Sequence, residues 1–405
     1  MSLTRRAQRA VYVAFIGSGF GFASWASRIT QIRDALEATP SELGLVLLAM
    51  ALGAIVAMPL AGMVVNRFGP ARTVATLASL LSLGLIVLAL GYEVGMAPAA
   101  IGLFLIGYGT GTWDVAMNVE GAAVEQATGR TIMPRFHAGF SIGTVVGALG
   151  GAGCVALDIP VTAHLLVVAT VNLAVVPISA LRGFLPRTAE PEETGNARAE
   201  QRPHPLTAWK EPRTLLIGVF VLCMAFTEGT ANDWLAVAVI DGYATPPVTG
   251  PLTFAVFLAA MTLGRWFGPA LIDRRGRVLM VRASALLALV GLLMVVFGQV
   301  LPVAIAGATL WGAGTALGFP VGMSAAADEP QMAAARVSVV ASIAYTAFLA
   351  GPPVIGFLGD EVGVLRALTV AAGLLSVALM LSGATRPLDQ SQPLVRERRY
   401  RAPPS

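Results

Sequence analysis

Residues 98–119 read PAAIGLFLIGYGTGTWDVAMNV, an apolar run of 22 residues that contains a single charged residue, Asp114. A helix needs about 20 apolar residues to cross the hydrocarbon core of a bilayer. Inside a bilayer, only helices and closed barrels satisfy all backbone polar groups. The run therefore predicts a membrane-spanning helix that carries a carboxylate, and it raises the question of what that carboxylate does there.

The rest of the chain has the same character, with 56% hydrophobic and only 12% charged residues in 405. Soluble domains are about a quarter charged. The basic segment Thr4–Ala10 precedes an apolar run without a cleavage site, which predicts a retained first helix and not a signal peptide. The sequence predicts an all-α integral membrane protein with twelve transmembrane helices in two six-helix halves, at roughly 9–28, 42–64, 73–92, 98–120, 137–157, 161–181, 214–240, 251–272, 279–299, 302–326, 337–358 and 364–384.

The distribution of basic residues predicts the orientation of these spans. With the N-terminus placed in the cytoplasm, 23 of the 27 Lys and Arg residues lie in cytoplasmic segments and 3 lie outside. This excess follows the positive-inside rule. The sequence pI near 9.4 is therefore interpreted as a topology signal and not as a nucleic-acid footprint. We expect a multi-pass protein of the bacterial inner membrane with both termini in the cytoplasm.

The chain divides into two halves that echo each other. The longest polar stretch, 183–212, predicts a cytoplasmic linker between a half at 1–182 and a half at 213–385, and residues 386–405 predict a cytoplasmic tail. After the second span comes GMVVNRFGPAR, residues 62–72, and after the eighth comes PALIDRRGR, residues 269–277. Such repeats around a central site are typical of secondary transporters.

These two loops carry a resemblance to the major facilitator superfamily of transporters. The first resembles that superfamily's G-x-x-x-D-R-x-G-R/K signature, with Asn66 in place of the usual acid and Pro70 in place of the usual basic residue. The resemblance implies that the loops act in gating, by capping and pairing helix ends when the inner side closes. The gating residues that it implies are Gly62, Asn66, Arg67, Gly69 and Arg72 in the first loop, and Asp273, Arg274, Gly276 and Arg277 in the second.

Four further segments are similar to a narrower branch, the YbjJ-like permeases related to the fucose permease group. They are FASWASRI (22–29), WDVAMN (113–118), FHAGFSIG (136–143) and EGTANDW (228–234). In that group the fourth span carries an acid followed four residues later by Asn. The resemblance implies that Asp114 carries the proton and that Asn118 contacts the solute.

The residues themselves leave two interpretations of Asp114 open. A carboxylate at membrane depth is costly and is usually functional. Asp114 and Asn118 are four residues apart and therefore project from one helical face. The alternative is that Asp114 only braces a neighbouring helix. Glu120 lies nearer the helix end, and with Glu125 it is interpreted as an interfacial structural residue that pairs with Arg130.

The seventh and eighth spans add a second set of polar candidates. Glu228 and Asn232 share a helical face, and Arg265 lies at a comparable depth in the eighth span. An Arg–Glu pair would reduce the cost of both charges, either as a static contact or as one that a proton or solute breaks. Alternatively, Arg265 contacts the solute or braces Asp273. Asp233 is a candidate second proton-coupling acid, with Asn232 as a solute contact.

Three aromatic or basic residues near the outer side and one histidine complete the candidates. Trp25 and Trp234 suit stacking on a sugar face, and they equally suit the interfacial aromatic belt. Arg28 ends the first span and is a candidate solute contact. His137 begins the fifth span, where it acts either in gating and capping or as a proton relay.

We expect a proton-coupled transporter of a small polar solute, such as a sugar or a related metabolite, that works by alternating access. The alternative in the same superfamily is a proton-driven efflux antiporter for drugs or lipophilic metabolites. A membrane enzyme is disfavoured because the histidines have no metal-ligand spacing and no phosphate loop or nucleophile arrangement is present. A membrane receptor that transports nothing stays open. We expect no cofactor or metal, a small-molecule solute and protons as partners within a lipid bilayer, no nucleic acid, and a monomer.

Overall fold

The structure is a computed structural model that describes residues 3–129, 132–186, 205–329 and 332–388, and within these ranges the only regular elements are helices. The first half contains α1 (Leu3–Ala26), α2 (Ile29–Ala35), α3 (Pro40–Phe68), α4 (Pro70–Gly91), α5 (Met96–Thr128), α6 (Met133–Ala156) and α7 (Val161–Gly183). The second half contains α8 (Pro212–Tyr243), α9 (Thr249–Arg275), α10 (Arg277–Phe297), α11 (Leu301–Thr315), α12 (Gly318–Ala326), α13 (Ala333–Val362), α14 (Val364–Ala367) and α15 (Thr369–Leu381).

The all-helical membrane architecture predicted from composition is confirmed. Ten helical segments of the described chain are long and apolar enough to cross a membrane, and an eleventh is obtained when the bent pair α1 and α2 is counted as one span. The predicted fourth span lies in α5, which has 33 residues. With its glycines, threonines and acidic residues, α5 is not among those ten, but its length is sufficient for a crossing.

Two predicted spans, the tenth and the twelfth, are divided in the structure, and the first is followed by a second, bent helix. The first ends at Ala26, and α2 continues after the two-residue break with a bend of 40°. The tenth is divided into α11 and α12 around 316–317, and the twelfth is divided into α14 and α15. Hydropathy reports only that a segment is apolar, so it does not locate such breaks. Most of the predicted linker, 187–204, and of the predicted tail, 389–405, lies outside the described residues.

The helices alternate in direction, which gives the bundle two ends. We call the end where α7 finishes and α8 begins the linker end, and the end where α8 finishes the opposite end. Within the first half, α6 lies very close to α1. A Cβ atom added at Gly143 would lie 2.2 Å from the Ile16 carbonyl oxygen, and one added at Gly147 would lie 2.7 Å from that of Phe20. The glycines of α6 therefore allow these two helices to approach closely.

The two loops that echo each other in sequence have the same backbone geometry. Gly69 joins α3 to α4 with φ +81° and ψ 158°, and Gly276 joins α9 to α10 with φ +84° and ψ 152°. Residues with a side chain rarely adopt this conformation, so a glycine is required at both turns. The repeat therefore extends to the conformation of the turn.

The two halves contact each other at the opposite end. The Arg33 guanidinium in α2 donates to the Asp241 carboxylate at the end of α8, and the Ser41 hydroxyl in α3 donates to the Asp360 carboxylate in α13. Below these contacts, α3 and α13 approach so closely that a Cβ atom at Gly44 would lie 2.6 Å from the Pro352 carbonyl oxygen. These contacts close the bundle at this end.

Candidate functional site

Asp114 lies in the middle of α5 with its side chain exposed, although the helix is surrounded by other helices of the bundle. Asn118, one turn further on, donates its amide to the backbone oxygen of Asp114 at 2.8 Å and to the carboxylate Oδ1 at 3.3 Å. Within the described residues, the Asp114 carboxylate has no basic residue as a partner. The shared face predicted for these two residues is confirmed as a contact, while their functional roles stay predictions.

Tyr345 of α13, in the other half, is close enough to Asp114 to interact with it electrostatically. Asp114 lies roughly 21 Å from the linker end of α5, and Tyr345 lies roughly 18 Å from the start of α13, at 1.5 Å of rise per residue. The two residues therefore lie at a similar depth, near the middle of the bundle, one in each half. Because the opposite end is closed while Asp114 remains exposed, the space around Asp114 opens towards the linker end.

The Arg–Glu pair expected between the seventh and eighth spans is present. Arg265 Nη2 of α9 donates to Glu228 Oε1 of α8 at 2.8 Å, and the two side chains are 31% and 17% exposed. Of the alternatives left open by the sequence, the partner of Arg265 in this structure is the acid Glu228 and not Asp273. The two charges compensate each other. Glu228 therefore has a basic partner, whereas Asp114 has none among the described residues.

His137 is exposed near the start of α6 and lies within electrostatic reach of Arg265, across the interface between the halves. Its ring meets the ring of Phe15 edge-on, with 5.0 Å between the ring centroids. The histidine therefore lies beside the space between the halves on the side of the linker end. This position fits a gating residue and a proton relay equally well.

Asp233 and Asn232 lie beyond Glu228 on α8, towards the opposite end. Both side chains are half-buried, and the Asn232 Oδ1 atom is buried without a hydrogen-bond partner in the described structure. Asp233 has neither a hydrogen bond nor an ion pair with any described residue. It is therefore a second carboxylate without a compensating charge, roughly 15 Å from the end of α8.

The positions of Trp25 and Trp234 correct the sequence-based interpretation. Their exposed fractions are 1% and 0%, so both indole rings are enclosed by protein. Neither ring presents a face on which a solute stacks, and neither lies in an aromatic belt facing lipid. Helical periodicity predicts which residues share a face of one helix, but it does not predict which neighbouring helix covers that face.

The position of Arg28 in this structure also does not fit its predicted role as a solute contact. It lies between α1 and α2, is 3% exposed, and donates through Nη2 to the Ile159 carbonyl oxygen at 2.7 Å. Its neighbours Tyr92 and His164 belong to the same half. Arg28 therefore connects the break in the first span to the loop before α7, inside the first half, and does not reach the space between the halves.

The gating residues implied by the loop resemblance lie at the linker end. Asp273 and Arg274 are exposed, and neither forms an ion pair with a described residue, whereas Arg277 binds Asp328 at 2.8 Å within its own half. In the first loop the Arg67 guanidinium lies over the Phe68 ring, 5.7 Å from its centroid. Of the gating residues implied in this loop, Gly62, Asn66, Arg67 and Arg72 are exposed, while Gly69 forms the turn.

The two remaining acids of α5 are structural, as their position near the helix end predicted. Glu120 Oε1 accepts the backbone N–H of Leu185 at 2.7 Å. Glu125 Oε2 accepts the N–H groups of Ile132 and Met133, both at 2.7 Å, and so caps the start of α6. The expected partner Arg130 lies outside the described residues.

Comparison with known proteins places this arrangement in a family. A family model described as Major Facilitator Superfamily matches residues 11–338. The chain is 33% identical over 358 residues to an uncharacterized transporter, y4wD, of Sinorhizobium fredii, which covers 87% of this chain and 91% of the relative. It is 31% identical over 376 residues to an uncharacterized MFS-type transporter of Yersinia pestis, covering 92% and 93% of the two chains.

The chain therefore belongs to the Major Facilitator Superfamily and is a multi-pass membrane transporter of that type. Solved structures agree on the fold. The nucleoside transporter NupG matches with a TM-score of 0.73 at 13% identity, covering 95% of this chain and 99% of that one. The E. coli fucose:proton symporter FucP matches with a TM-score of 0.65 at 18% identity, covering 94% and 98%. At these identities the likeness concerns the fold alone.

Proposed function

We propose that this transporter couples the movement of protons to that of a small polar solute, such as a sugar or a related metabolite. The observation that carries the proposal is the state of Asp114, which is exposed at mid-depth between the halves without a basic partner. A carboxylate in that position can be protonated or ionised without disrupting an ion pair, which a proton carrier requires. Asn118, on the same face, is the proposed solute contact.

The remaining polar residues of the site extend this proposal. Glu228 and Asp233 are proposed as further proton-coupling residues, with Glu228 acting through its pair with Arg265. Asn232, half-buried on the same helix, is the proposed solute contact in the second half. Arg265 reaches a solute only after its bond to Glu228 is broken.

Transport would proceed by alternating access, in which the halves rock about the central site. The excess of basic residues at the linker end supports its placement in the cytoplasm. With that orientation, the present arrangement is open inwards and closed outwards. We propose a bacterial inner-membrane location with both termini inside, a monomer, and membership of the YbjJ-like branch related to the fucose permease group.

Two of the solved structures with this fold are named for a nucleoside and for fucose with a proton. Both solutes are polar, which is compatible with the proposal. The proposal itself rests on the residues of this chain, because the identity to those proteins is low.

The decisive experiment measures the thermal stability of the purified protein with a ligand panel at two pH values. The panel contains sugars, polar metabolites and lipophilic cations. A ligand that binds only the native state stabilises it by about 2.7 kcal/mol at a hundredfold excess over its Kd. Stabilisation by polar solutes that is lost in Asp114→Asn supports the proposal. Stabilisation by lipophilic cations alone would favour the efflux antiporter instead.

A solute identified in this way is then tested in liposomes that contain a pH-sensitive dye. Proton movement that accompanies solute flux is the expected result. Solute flux without proton movement would contradict the coupling, and binding without any flux would favour a receptor.

A further inference from the structure

The linker-end part of α13 carries hydroxyl groups along one face. Ser338, Ser342, Tyr345 and Thr346 recur at a spacing of three to four residues, and the serines and the threonine are exposed. Residues at this spacing lie on the same side of a helix. We call these four residues the hydroxyl face of α13. In a membrane-spanning helix, exposed hydroxyl groups are unexpected on a surface that contacts only lipid.

The contacts of α13 show where this face is directed. Val340 and Ala344, both 0% exposed, lie on the opposite side of the helix from the hydroxyl face. Ile343 and Phe348, on the two flanks, are the side chains that would meet a Cβ atom placed on Gly218 and Gly229 of α8. The hydroxyl face therefore points away from the packing of its own half. The same helix packs against α3 of the first half at Gly44, and Tyr345 lies within electrostatic reach of Asp114. The hydroxyl face therefore borders the space between the halves, opposite α5.

The hydrogen bonds already made on this face determine what it offers a ligand. Ser342 Oγ donates to the Ser338 backbone oxygen at 2.8 Å, and Thr346 Oγ1 donates to that of Ile343 at 2.6 Å. The protons of these hydroxyl groups are engaged, while their lone pairs remain available. Ser342, Thr346 and the Asp114 carboxylate therefore offer acceptors, while the Ser338 and Tyr345 hydroxyl groups donate to no described residue and can also donate to a ligand.

We propose that the hydroxyl face of α13 is the specificity-determining wall of the solute site, and that it selects an uncharged, polyhydroxylated solute whose hydroxyl groups donate to Ser342 and Thr346. The inference rests on the proposed function. It assigns solute-binding residues to α13, in addition to Asp114 and Asn118 on α5. These two hydroxyl groups are one turn apart, about 6 Å along the axis. A single sugar or cyclic polyol ring matches that spacing.

Other classes of solute fit this wall less well. An organic anion accepts but does not donate at its charged end, and it would face the uncompensated carboxylate of Asp114 while Arg265 is bound to Glu228. A lipophilic solute would cover the exposed hydroxyl groups and leave their lone pairs without partners, which is unfavourable. The wall therefore favours hydrogen-bond donors.

The test compares binding in variants that remove or retain the hydroxyl groups. Ser342→Ala and Thr346→Val each delete one acceptor with little change in shape, and Thr346→Ser retains it. Thr170→Val is the matched control, because Thr170 Oγ1 makes the same kind of bond to the Leu166 oxygen at 2.8 Å on an exposed apolar face of α7. The probes are uncharged monosaccharides and polyols, their deoxy analogues, the corresponding sugar acids and amino sugars.

Binding is measured by calorimetry and thermal shift on the full chain in nanodiscs. We expect each single deletion to weaken polyol binding about two- to tenfold, as for one neutral hydrogen bond, with a larger loss in the double variant. Thr346→Ser and Thr170→Val should bind like the wild type. When the probe is a deoxy analogue that lacks the hydroxyl group bound by Ser342 or Thr346, removing that protein hydroxyl should not weaken its binding further. This is the result expected for two groups that interact directly.

Three outcomes would overturn the inference, and they separate it from the proposed function. If polyol binding is unchanged in the double variant but lost in Asn118→Ala, the hydroxyl face is not the wall, while the proposed function stands. If the wild type binds only sugar acids or amino sugars, the selection for an uncharged polyol is wrong, while polar-solute transport stands. If no polar probe binds the wild type, both are overturned.

Discussion

Arg33 of α2 and Asp241 of α8 form an ion pair that joins the two halves of the transporter at the opposite end, and the same guanidinium also binds Asp34 at 2.7 Å. The Arg33 side chain is 14% exposed and the Asp241 side chain is 42% exposed. This pair holds closed the end that must open in the proposed alternating-access cycle. Its partial exposure limits how strongly it does so.

We therefore predict that Asp241→Asn shifts the population towards states open at the opposite end. A partly exposed pair contributes up to about 1 kcal/mol, which corresponds to a change of about fivefold in the ratio of the two states. Spin labels at positions 37 and 361, in a protein whose native cysteines are replaced by alanine, would report the distance between the halves. Asp158→Asn changes a similar exposed acid at the same end within one half and should leave the distances unchanged. Identical distance distributions in Asp241→Asn and the wild type would show that the Arg33–Asp241 pair does not hold this end closed.

Asp114→Asn should abolish solute movement driven by a pH gradient while leaving the fold intact. The reason is that the amide has nearly the same shape but cannot carry a proton. Flux in proteoliposomes, with and without a pH gradient, measures the coupling, and circular dichroism checks the helix content. Asp233→Asn tests the second unpaired carboxylate in the same assay. Glu37→Gln, at an exposed site at the opposite end, is the control. Coupled flux with unchanged pH dependence in Asp114→Asn would exclude it as the carrier.

Arg265→Gln should destabilise the protein more than the double variant in which Glu228→Gln is added. Removing one member of a partly buried pair leaves the other charge uncompensated at mid-depth. The expected cost is about 1–3 kcal/mol, below that of a fully buried pair because both side chains are partly exposed. Thermal unfolding of both variants, with Arg274→Gln as an exposed control, makes the comparison. Equal melting temperatures for the single and double variants would show that the pair is not coupled.

The contact between Glu211 and Arg336 should make stability depend on pH at the linker end. The Arg336 guanidinium donates to both carboxylate oxygens of Glu211, at 2.6 and 3.1 Å, and these bonds lower the pKa of Glu211 below its ordinary value. Because the folded pKa is lower than the unfolded one, this stabilisation is present above the ordinary pKa of about 4.5 and is lost as the pH falls through the folded pKa.

Melting temperatures between pH 3 and 6 would test this dependence. The difference in melting temperature between the wild type and Arg336→Gln should be largest near pH 6 and should shrink towards pH 3. Arg274→Gln, which removes an exposed arginine without an ion pair in the described structure, should show no such trend. A difference that is constant across the range would mean that Glu211 does not contribute through its charge.

The sequence was sufficient to predict those features that follow from the composition and spacing of one helix or loop, or from the depth of a residue along its helix. Composition predicted the spans, spacing by four predicted the contact of Asp114 with Asn118, and similar depth predicted the pair of Arg265 with Glu228. Each of these inferences requires only the rise and periodicity of a helix. The loop motif places a glycine at residues 69 and 276, and in the structure both glycines form turns with positive φ.

The features that the sequence did not predict depend on how helices are arranged around one another. Arg28 lies inside the first half at the bend after Ala26, and Trp25 is covered by neighbouring helices; no local sequence pattern marks either feature. The hydroxyl face of α13 was missed although its signal is visible, since Ser338, Ser342 and Thr346 recur every four residues in the stretch 337–350, which has no charged residue. Recognising it required knowing that α13 faces Asp114.

The two glycine turns also bear on the history of the chain. At equivalent positions, the turns agree at Arg67 and Arg274 and at Gly69 and Gly276, but they differ where Asn66 stands against Asp273 and where Pro70 stands against Arg277. The glycines are the positions at which the backbone tolerates no side chain. If the halves descend from one duplicated six-helix ancestor, steric demand has preserved the turn while the charges around it have diverged.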